Sequence, residues 1–266
     1  MTLSPNAPVI LELKDLHKRF GSKVVHRGVS MQLHQGEIIG LLGGSGTGKS
    51  VILRSVIGLE KPDQGSIFFG GKDIVQLNED QLTPVRIKIA YVFQNGALFD
   101  SLTVEENLAY PLKEHTKLSD DEIHRRVNEM LDLIDMHGSN DLYPAELSGG
   151  MQKRAGLARA TIIDPHVILF DEPTAGLDPV NTHRLIQNIK KLKQTGITGI
   201  FVTHDLPAAF EICDRLAILY QGKIYAIDTV ANIRASKDPL IRRFITGELD
   251  ATLNVPAAPK KEDRIP

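Results

Sequence analysis

The sequence contains almost no cysteine and has no excess of charge of either sign. Cys213 is the single cysteine among 266 residues, which excludes a disulfide framework or a cysteine-rich metal site. Lysine and arginine number 31, and aspartate and glutamate number 33, so the formal net charge is −2 at pH 7. This balance lacks the basic excess typical of nucleic-acid-binding proteins, and we expect no nucleic-acid partner.

Long hydrophobic runs are also missing. The first ten residues carry two prolines but neither lysine nor arginine, so they lack the basic end of a signal peptide. The longest apolar stretches, such as 38–42 and 167–170, are far shorter than the roughly 20 residues that cross a bilayer. We therefore expect a soluble chain on the cytoplasmic side, which another protein must hold if it acts at a membrane.

The composition is that of a globular protein, with 42% hydrophobic and 24% charged residues. Alternating or continuous apolar runs predict strands at 9–16, 29–33, 38–42, 66–69, 89–93, 167–170, 199–203 and 216–220. Apolar residues at helical spacing predict helices at 49–57 and 180–194. Because strands alternate with helices, the pattern indicates an α/β fold with a mainly parallel sheet.

The stretch 103–161 interrupts this alternation with a wholly helical pattern, which predicts an inserted lobe. Thr103 is placed to cap one helix, and Ser119 with Glu122 fits a capping box at the start of the next. Behind that box, an apolar stripe at helical spacing predicts packing within the lobe: Ile123, Val127, Leu131 and Ile134. Residues 247–266 are polar with three prolines, which predicts a tail that is either disordered or docked on a partner.

A glycine-rich loop follows the predicted strand at 38–42 and matches the pattern G-x-x-x-x-G-K-[ST] over residues 43–50. Glycines let successive backbone amides turn inward around phosphate oxygens, and the helix that follows adds its positive end. Lys49 is placed to reach the β and γ phosphates, and Ser50 to bind Mg²⁺. The loop therefore predicts a nucleoside triphosphate site.

Two carboxylates follow directly after the apolar strand at 167–170. Ligands of open α/β sheets bind at the carboxyl ends of the strands, so Asp171 is placed to hold Mg²⁺. Glu172 is the candidate general base for an attacking water. A P-loop enzyme needs both functions, and their presence favours an enzyme over a non-catalytic binding subunit.

Further motifs resemble those of the ABC-type ATPases. The segment Leu147–Met151 is similar to their LSGGQ signature, and Ala175–Pro179 is similar to their D-loop. His204 matches their switch histidine, and Gln94 matches their Q-loop glutamine. The motifs occur in the family's order, and the resemblance covers about residues 9–245.

The resemblance implies a fold and a set of site residues. The implied fold is a P-loop NTPase with a RecA-like, mainly parallel sheet, N-terminal antiparallel β strands and an α-helical lobe. It implies a single nucleotide-binding domain over 9–246, with the lobe inserted at about 95–162. The residues implied to bind ATP are Phe20, Gly43, Gly44, Ser45, Gly46, Thr47, Gly48, Lys49, Ser50 and Val51. The implied Mg²⁺ ligands are Ser50, Gln94 and Asp171, and the implied catalytic residues are Glu172, His204, Gln94 and Lys49.

ABC ATPases work as head-to-tail pairs, so one set of motifs implies that this chain is half of a twofold dimer. The opposing chain is then expected to complete the ATP site with Ser148, Gly149, Gly150 and Asp178. The residues agree with this, because Ser148–Gly150 precede a helix predicted at 151–163, whose amino end suits an anion. The P-loop of the same chain already surrounds its own phosphates. The expected ligand of Ser148–Gly150 is therefore the γ-phosphate bound by a second molecule. His204 is expected to contact the γ-phosphate, and Gln94 to link Mg²⁺ and water to the lobe.

Two positions depart from the family pattern. Phe20 stands where tyrosine is more usual, but stacking on adenine needs only the face of the ring, so stacking is expected and core packing is the alternative. Met151 stands where the signature usually has glutamine, and Gln152 follows it. The departure removes a polar contact at that fifth position and leaves the expected contacts of Ser148 and Gly150.

The helical stretch also resembles one subfamily. The segments 94–99, 107–112 and 114–116, with the methionine-containing signature, are similar to the ATPase subunits of Mla (maintenance of lipid asymmetry) systems. Those systems move phospholipids between the two membranes of Gram-negative bacteria. The resemblance implies a peripheral location on the cytoplasmic face of the inner membrane. The implied partners are a second copy of the chain, an integral-membrane permease, an MCE-domain lipid-binding protein and a small STAS-domain protein.

Alternatives remain at this stage. Leu98 and Phe99 are expected to line a groove for a short permease helix, or else to belong to the core of the lobe. The motifs fit equally the ATPase of another ABC transporter, such as a small-molecule importer. ABC proteins of translation carry two cassettes in one chain and those of DNA maintenance carry long coiled coils, and neither fits 266 residues.

Overall fold

The computed structural model describes residues 7–247, so the predicted tail lies, except for Gly247, outside the described residues. The strands in this range are β1 Val9–Phe20, β2 Lys23–His34, β3 Ile38–Leu42, β4 Gln64–Phe69, β5 Lys72–Asp73, β6 Ile89–Val92, β7 Val167–Asp171, β8 Gly199–Val202, β9 Arg215–Tyr220 and β10 Lys223–Thr229. The helices are α1 Lys49–Val56, α2 Glu79–Lys88, α3 Val104–His115, α4 Asp120–Leu133, α5 Gly149–Thr161, α6 Pro179–Gln194, α7 Leu206–Ile212, α8 Val230–Ala235 and α9 Pro239–Ile245. None of the helices within 7–247 has both the length and the hydrophobicity that a bilayer crossing requires.

The larger sheet has six strands in the order β10-β9-β3-β8-β7-β6. All neighbouring pairs are parallel except β9 with β10, so the predicted mainly parallel sheet is confirmed. Every residue of β3 and of β8 is buried, which explains why these segments show continuous apolar runs instead of alternation. The P-loop, Asp171 and His204 follow β3, β7 and β8 at the same carboxyl edge of this sheet.

The smaller sheet is antiparallel, with the order β2-β1-β4-β5. The predicted alternation holds in β2, where Val29, Met31 and Leu33 are buried. The strand β1 is longer than the predicted 9–16 and continues to Phe20, because it pairs with β2 along its whole length. The expected N-terminal antiparallel strands are therefore confirmed.

The parallel sheet is covered on both faces. One face packs against the antiparallel sheet and α1, in a cluster of buried residues that includes Leu13, Leu41, Ile52 and Leu169. The opposite face packs against α6 and α7, in a cluster that includes Phe170, Ile189, Phe201 and Ala209. Full burial of each large side chain contributes about 1.5–3 kcal/mol, so these two layers hold the carboxyl edge of the sheet in place.

The helical stretch packs on a core of its own, and the predicted stripe of α4 lies in it. Thr103 caps α3 in a reciprocal capping box with Glu106. Ser119 caps α4 as predicted, but the prediction of a reciprocal bond, from the Ser119 amide to the Glu122 side chain, is wrong. The Glu122 carboxylate instead pairs with Arg125 at 2.6 Å, because a charge-assisted bond within the helix competes with the cap.

The boundaries of the signature helix also differ from the prediction. Helix α5 begins at Gly149 and ends at Thr161, not at 151 and 163, since Ser148 is the capping residue. Several elements were not predicted at all: β5, β10, α2, α7, α8 and α9. Helix α2 contains Pro84 and buries only Leu82, so its sequence carries no apolar stripe that would reveal it.

Candidate functional site

The glycine-rich loop between β3 and α1 has a backbone shape that requires glycine at several positions. Gly46 and Gly48 have φ angles of +72° and +98°, in the left-handed region that favours glycine. A Cβ at Gly43 would lie 2.9 Å from the carbonyl oxygen of Leu219. The buried His26 donates from Nε2 to the Gly48 carbonyl at 3.0 Å, and this bond helps to hold the end of the loop in place. A loop of this shape fits a chain of phosphates, because its backbone can approach a ligand closely.

Lys49 begins α1 and is 7% exposed. Its Nζ donates to the carbonyls of Gly43 at 2.9 Å and Gly44 at 3.1 Å. Burial lowers the pKa of Lys49, and the nearby Glu172 and Asp171 counteract this. Both hydrogen-bond acceptors are neutral, so they leave the positive charge of the ammonium available to phosphate oxygens.

Asp171, at the end of β7, is held by two hydroxyl groups. Ser50 Oγ donates to Asp171 Oδ1 at 2.7 Å, and Tyr91 Oη donates to Asp171 Oδ2 at 2.6 Å. Oxygen atoms of this kind are the ligands that Mg²⁺ prefers. The pair Ser50 and Asp171 therefore fits a magnesium ion, as predicted from the sequence.

Glu172 follows in a strained backbone conformation. Its φ angle is +51°, which is uncommon for a residue with a side chain and is often found at functional sites. His204 Nδ1 lies 2.8 Å from Glu172 Oε1. Burial raises the pKa of the Glu172 carboxyl, while His204 and Lys49 partly counteract that rise. A carboxyl group whose pKa is shifted toward neutrality is suited to exchange a proton with water.

Lys49, Ser50, Glu172 and His204 face a common pocket of about 490 Å³, and Asp171 adjoins it through its hydrogen bond with Ser50. It is lined by Phe20, Lys23, Val25, Ser45, Gly46, Gly48, Lys49, Ser50, Val51, Glu172 and His204. The Phe20 ring is 46% exposed, and Lys18 Nζ lies 5.1 Å from its centroid. Phe20 is thus not a core residue, and the core-packing alternative for it is wrong.

The predicted signature and D-loop residues lie together, but outside this pocket. Ser148 is exposed and caps α5, and its Oγ accepts from Met151 N at 3.3 Å. A Cβ at Gly150 would lie 2.5 Å from Asn181 Oδ1, so a larger residue there would require the Asn181 side chain to move. The side chain of Asn181 donates to Asp178 Oδ2 at 2.5 Å. The start of α5 and the start of α6 therefore form one unit, in which Ser148, Gly149 and Asp178 are exposed and Gly150 is buried.

Lys153 joins this unit to the segment after Glu172. Its ammonium donates to the carbonyl of Pro173 at 3.0 Å and also to the carbonyl of Ala175. The predicted site residues thus fall into two groups. One comprises the glycine-rich loop, the pocket and Asp171, and the other lies around the signature. The structure does not bring Gln94 into either group, since it is exposed two residues beyond β6 and the pocket lining does not include it.

A second concavity lies between the sheet and the helical lobe, with a volume of about 490 Å³. Exposed apolar side chains contribute to it, namely Leu59, Phe93, Phe99 and Tyr110. We call it the lobe groove. The Phe99 ring is 45% exposed, so the groove placement fits it better than the core placement. Leu98 is partly buried against the lobe core, which contradicts its expected exposure in the groove.

Sequence reasoning missed several residues that shape the site. Tyr91 and Lys153 act through contacts with residues distant in sequence, and Asn181 lies against Gly150 as well as bonding to Asp178. No local pattern marks these three residues. For Tyr91 a signal existed, because strand alternation places it on the same face as the carboxylate that ends the neighbouring strand. Using that signal required knowledge of which strands are neighbours.

Comparison with known proteins agrees with the nucleotide site described above. The family model described as ABC transporter matches residues 26–175. A solved dimer of the ATP-binding cassette MJ0796, in a post-hydrolysis state bound to ADP and Pi, superimposes with a TM-score of 0.75 and 31% identity. That match covers 83% of this chain and 98% of the cassette.

Two curated relatives differ in their named substrates. A probable ribonucleotide transport ATP-binding protein, mkl of Mycobacterium leprae, is 42% identical over 240 residues, which is 90% of this chain and 69% of the relative. The intermembrane phospholipid transport system ATP-binding protein MlaF of Escherichia coli K12 is 36% identical over 260 residues. That alignment spans 97% of each chain.

Proposed function

This chain belongs to the ABC transporter family as one of its ATP-hydrolysing subunits, and we propose that it powers phospholipid movement between the two membranes of a Gram-negative bacterium. The observation that carries the lipid assignment is the alignment with MlaF, which runs along 97% of both chains. The segments 94–99, 107–112 and 114–116 support it, because they line the lobe and resemble Mla sequences.

The pocket residues divide the binding of ATP between them. The amides of residues 43–48 and the ammonium of Lys49 hold the phosphates, and the exposed Phe20 ring stacks on adenine. Ser50 and Asp171 are the residues that would hold Mg²⁺, since their oxygens already lie 2.7 Å apart. Bound Mg²⁺ supplies charge neutralisation on the β and γ phosphates. Gln94, exposed beside the lobe, is proposed to reach this site when ATP is bound.

Glu172 is the proposed general base. It accepts a proton from water as the water oxygen attacks the γ-phosphorus and the bond to the β–γ bridging oxygen breaks, which yields ADP and phosphate. His204 holds Glu172 Oε1 through Nδ1 at 2.8 Å, which leaves Nε2 for the γ-phosphate. The side chain of His204 is 68% exposed, so it is accessible to a nucleotide.

The exposed signature unit supports a dimer. Ser148, Gly149 and Gly150 lie at the amino end of α5, and Asp178 caps α6. None of these four residues lines the P-loop pocket of its own chain. The amino end of a helix attracts anions, so we propose that it contacts the γ-phosphate held by a second copy. The dimeric solved cassette supports this arrangement.

The lobe groove is the proposed seat of a permease helix, with Phe99 at the contact. This chain is then peripheral on the cytoplasmic face of the inner membrane. The further proposed partners are an MCE-domain lipid-binding protein and a small STAS-domain protein. The extent of the nucleotide-binding domain over 9–246, with the lobe at about 95–162, is part of the same proposal.

A second candidate is the ATPase of a small-molecule importer, which the 42% identity to the ribonucleotide-named mkl favours. Mass spectrometry of the gently solubilised native complex separates the two. The lipid assignment predicts a permease together with an MCE-domain protein and bound phospholipid. A permease that co-purifies with a substrate-binding protein for a small molecule, and with no MCE-domain protein, would overturn it.

A further inference from the structure

Tyr91 lies beside the carboxylate that we assign to magnesium, and the sheet register explains why. In the parallel pairing of β6 with β7, Tyr91 lies opposite Leu169. Asp171 is two residues beyond Leu169, so its side chain emerges on the same face of the sheet. The Tyr91 hydroxyl thereby reaches Asp171 Oδ2 at 2.6 Å.

The two oxygens of Asp171 have different partners. Oδ1 accepts from Ser50 and Oδ2 accepts from Tyr91. A tyrosine hydroxyl is protonated at neutral pH. The phenol is therefore the donor in this bond, and the bond fixes the rotation of the carboxylate and turns Oδ1 toward Ser50.

The ring of Tyr91 is itself held in place. It packs against the ring of Phe93, with centroids 4.3 Å apart. Both residues line the lobe groove, next to Phe99 and Tyr110. The phenol thus has an apolar edge in the groove and a polar tip on Asp171.

We propose that Tyr91 is a positioning residue for magnesium, and that its ring, packed on Phe93, holds the Asp171 carboxylate in the orientation that binds the ion. The inference rests on the proposed role of Asp171 in magnesium binding. It adds a residue that no sequence motif of the site includes. Partners of metal ligands typically change metal affinity about 10–100-fold when they are removed, so the hydroxyl has a measurable consequence.

The test is a Mn²⁺ titration, followed by the electron paramagnetic resonance signal of free Mn²⁺, with the chain loaded with the β,γ-imido analogue of ATP. Tyr91→Phe should weaken Mn²⁺ binding about tenfold. Binding of the analogue in the presence of a chelator should stay unchanged, since the P-loop amides and Lys49 do not contact the hydroxyl. A thermal melt without metal checks that the variant is folded.

Two variants serve as references. Tyr225→Phe removes a comparable tyrosine-to-aspartate hydrogen bond, from Tyr225 Oη to Asp238 Oδ2 at 3.0 Å, on another part of the surface. It should leave Mn²⁺ affinity unchanged. Asp171→Asn should lose Mn²⁺ binding more strongly than Tyr91→Phe does, which separates the two claims. If Asp171→Asn bound Mn²⁺ with wild-type affinity, the proposed magnesium role of Asp171 would be wrong. If Tyr91→Phe bound Mn²⁺ with wild-type affinity while Asp171→Asn did not, only the proposed role of Tyr91 would be wrong.

A double-mutant cycle tests the contribution of the ring packing. Phe93→Leu should weaken Mn²⁺ binding about two- to threefold in the wild-type background and add nothing in the Tyr91→Phe background. An equal effect of Phe93→Leu in both backgrounds would show that the ring does not act through the hydroxyl. That result would overturn the proposed route from Phe93 through Tyr91 to Asp171.

Discussion

Glu172 combines a strained backbone with a shifted protonation equilibrium. Its φ is +51°, and the residue is bonded on both sides: Glu172 N donates to the carbonyl of Val202 at 2.9 Å, and its carbonyl accepts from Ala175 N at 3.1 Å. Strain of this kind persists only where the surrounding structure overdetermines it. The strain aims the side chain at the pocket, where His204 meets it.

Glu172→Gln should leave nucleotide binding intact and reduce kcat at least about 100-fold, because an amide keeps the volume but takes up no proton. Steady-state phosphate release and equilibrium binding of labelled ATP measure the two effects. Lys49→Ala is the contrasting variant and should lose binding as well as turnover, since it removes the charge aimed at the phosphates. Phosphate release by Glu172→Gln near the wild-type rate would exclude Glu172 as the base.

The pH dependence of turnover should report the same carboxyl group. Burial raises the pKa of Glu172 above that of an ordinary glutamate. A general base must be deprotonated, so kcat should fall as the pH drops through this raised pKa and recover above it. The kcat profile measured at saturating ATP and Mg²⁺ should therefore have an acid limb above about pH 4.3, the ordinary glutamate value. An acid limb at or below that value would contradict the role of burial.

At the scale of elements, the amino ends of α5 and α6 hold the site residues that lie outside the pocket. Helix α5 begins at Gly149 with Ser148 as its cap, and α6 begins at Pro179 with Asp178 as its cap. Each cap satisfies amides of its own helix, and Gly150 and Asn181 bring the two helix starts into contact. The contact makes the signature and the D-loop one rigid surface.

Ser148→Arg should abolish ATP-dependent dimerisation while ATP binding by the single chain stays near the wild-type level. Loss of the cap costs about 1 kcal/mol, and the arginine occupies the expected place of a partner's γ-phosphate. Size-exclusion chromatography with ATP, in the Glu172→Gln background that retains the nucleotide, measures the dimer.

Ser119→Arg is the matched control. It removes a cap from α4 in the same lobe and should cost similar stability without affecting the dimer. If both variants lost the dimer equally, the cause would be destabilisation of the lobe, and the signature would not act across the interface. An equal loss of ATP binding by the Ser148→Arg monomer would contradict the same claim.

At the scale of the whole molecule, the pocket and the lobe groove are separate concavities, and Tyr91 of β6 lines the groove while its hydroxyl bonds to Asp171. The Phe99 ring packs edge-on against Tyr110 with centroids 5.1 Å apart, and Arg159 lies 5.1 Å over it. Buried Asn107 fixes the backbone there, by accepting from Phe99 N at 2.8 Å and donating to its carbonyl at 3.1 Å. Phe99 is therefore presented by a rigid segment although its ring is half exposed.

Phe99→Asp should uncouple transport without unfolding the chain. The carboxylate would have to be desolvated against an apolar permease helix, which costs about 1–3 kcal/mol. ATPase stimulation by the purified permease should fall, while ATP binding by the isolated chain should survive. In cells the change should mimic deletion, with phospholipid in the outer leaflet and sensitivity to detergent plus chelator.

Val9→Asp is the control for Phe99→Asp, because Val9 is also partly exposed, at 38%, but lies on β1 outside the groove. It should leave the stimulation by permease intact. A misfolded Phe99→Asp chain would favour a role of the ring in the lobe core. A deletion strain with a normal outer-membrane barrier and a defect in the uptake of one nutrient would favour the importer.

The sequence alone predicted the features that depend on local chemistry. The glycine-rich loop, the buried strand before it and the carboxylates after 167–170 are each recognisable within a few residues, so the α/β fold and this part of the site were predictable. Phe20 and His204 were expected only from the family resemblance, and Lys23 and Val25 of the pocket were missed. The parallel sheet, the antiparallel strands and the cap at Thr103 are confirmed. Helix α2, without an apolar stripe, and the start of α5 were not predicted correctly, because capping and packing against other elements decide them.

Only the tertiary structure decided which distant residues meet. Tyr91 reaches Asp171 because β6 pairs with β7 in a particular register, and no periodicity along the chain encodes that register. Leu98 turns to the lobe core while its neighbour Phe99 faces the groove, a choice that depends on the bonds of Asn107. Hydrophobic periodicity and glycine positions determine local structure within a few residues, so they can be recognised in the sequence. Hydrogen bonds between strands and helices depend on the arrangement of the whole chain, so they cannot.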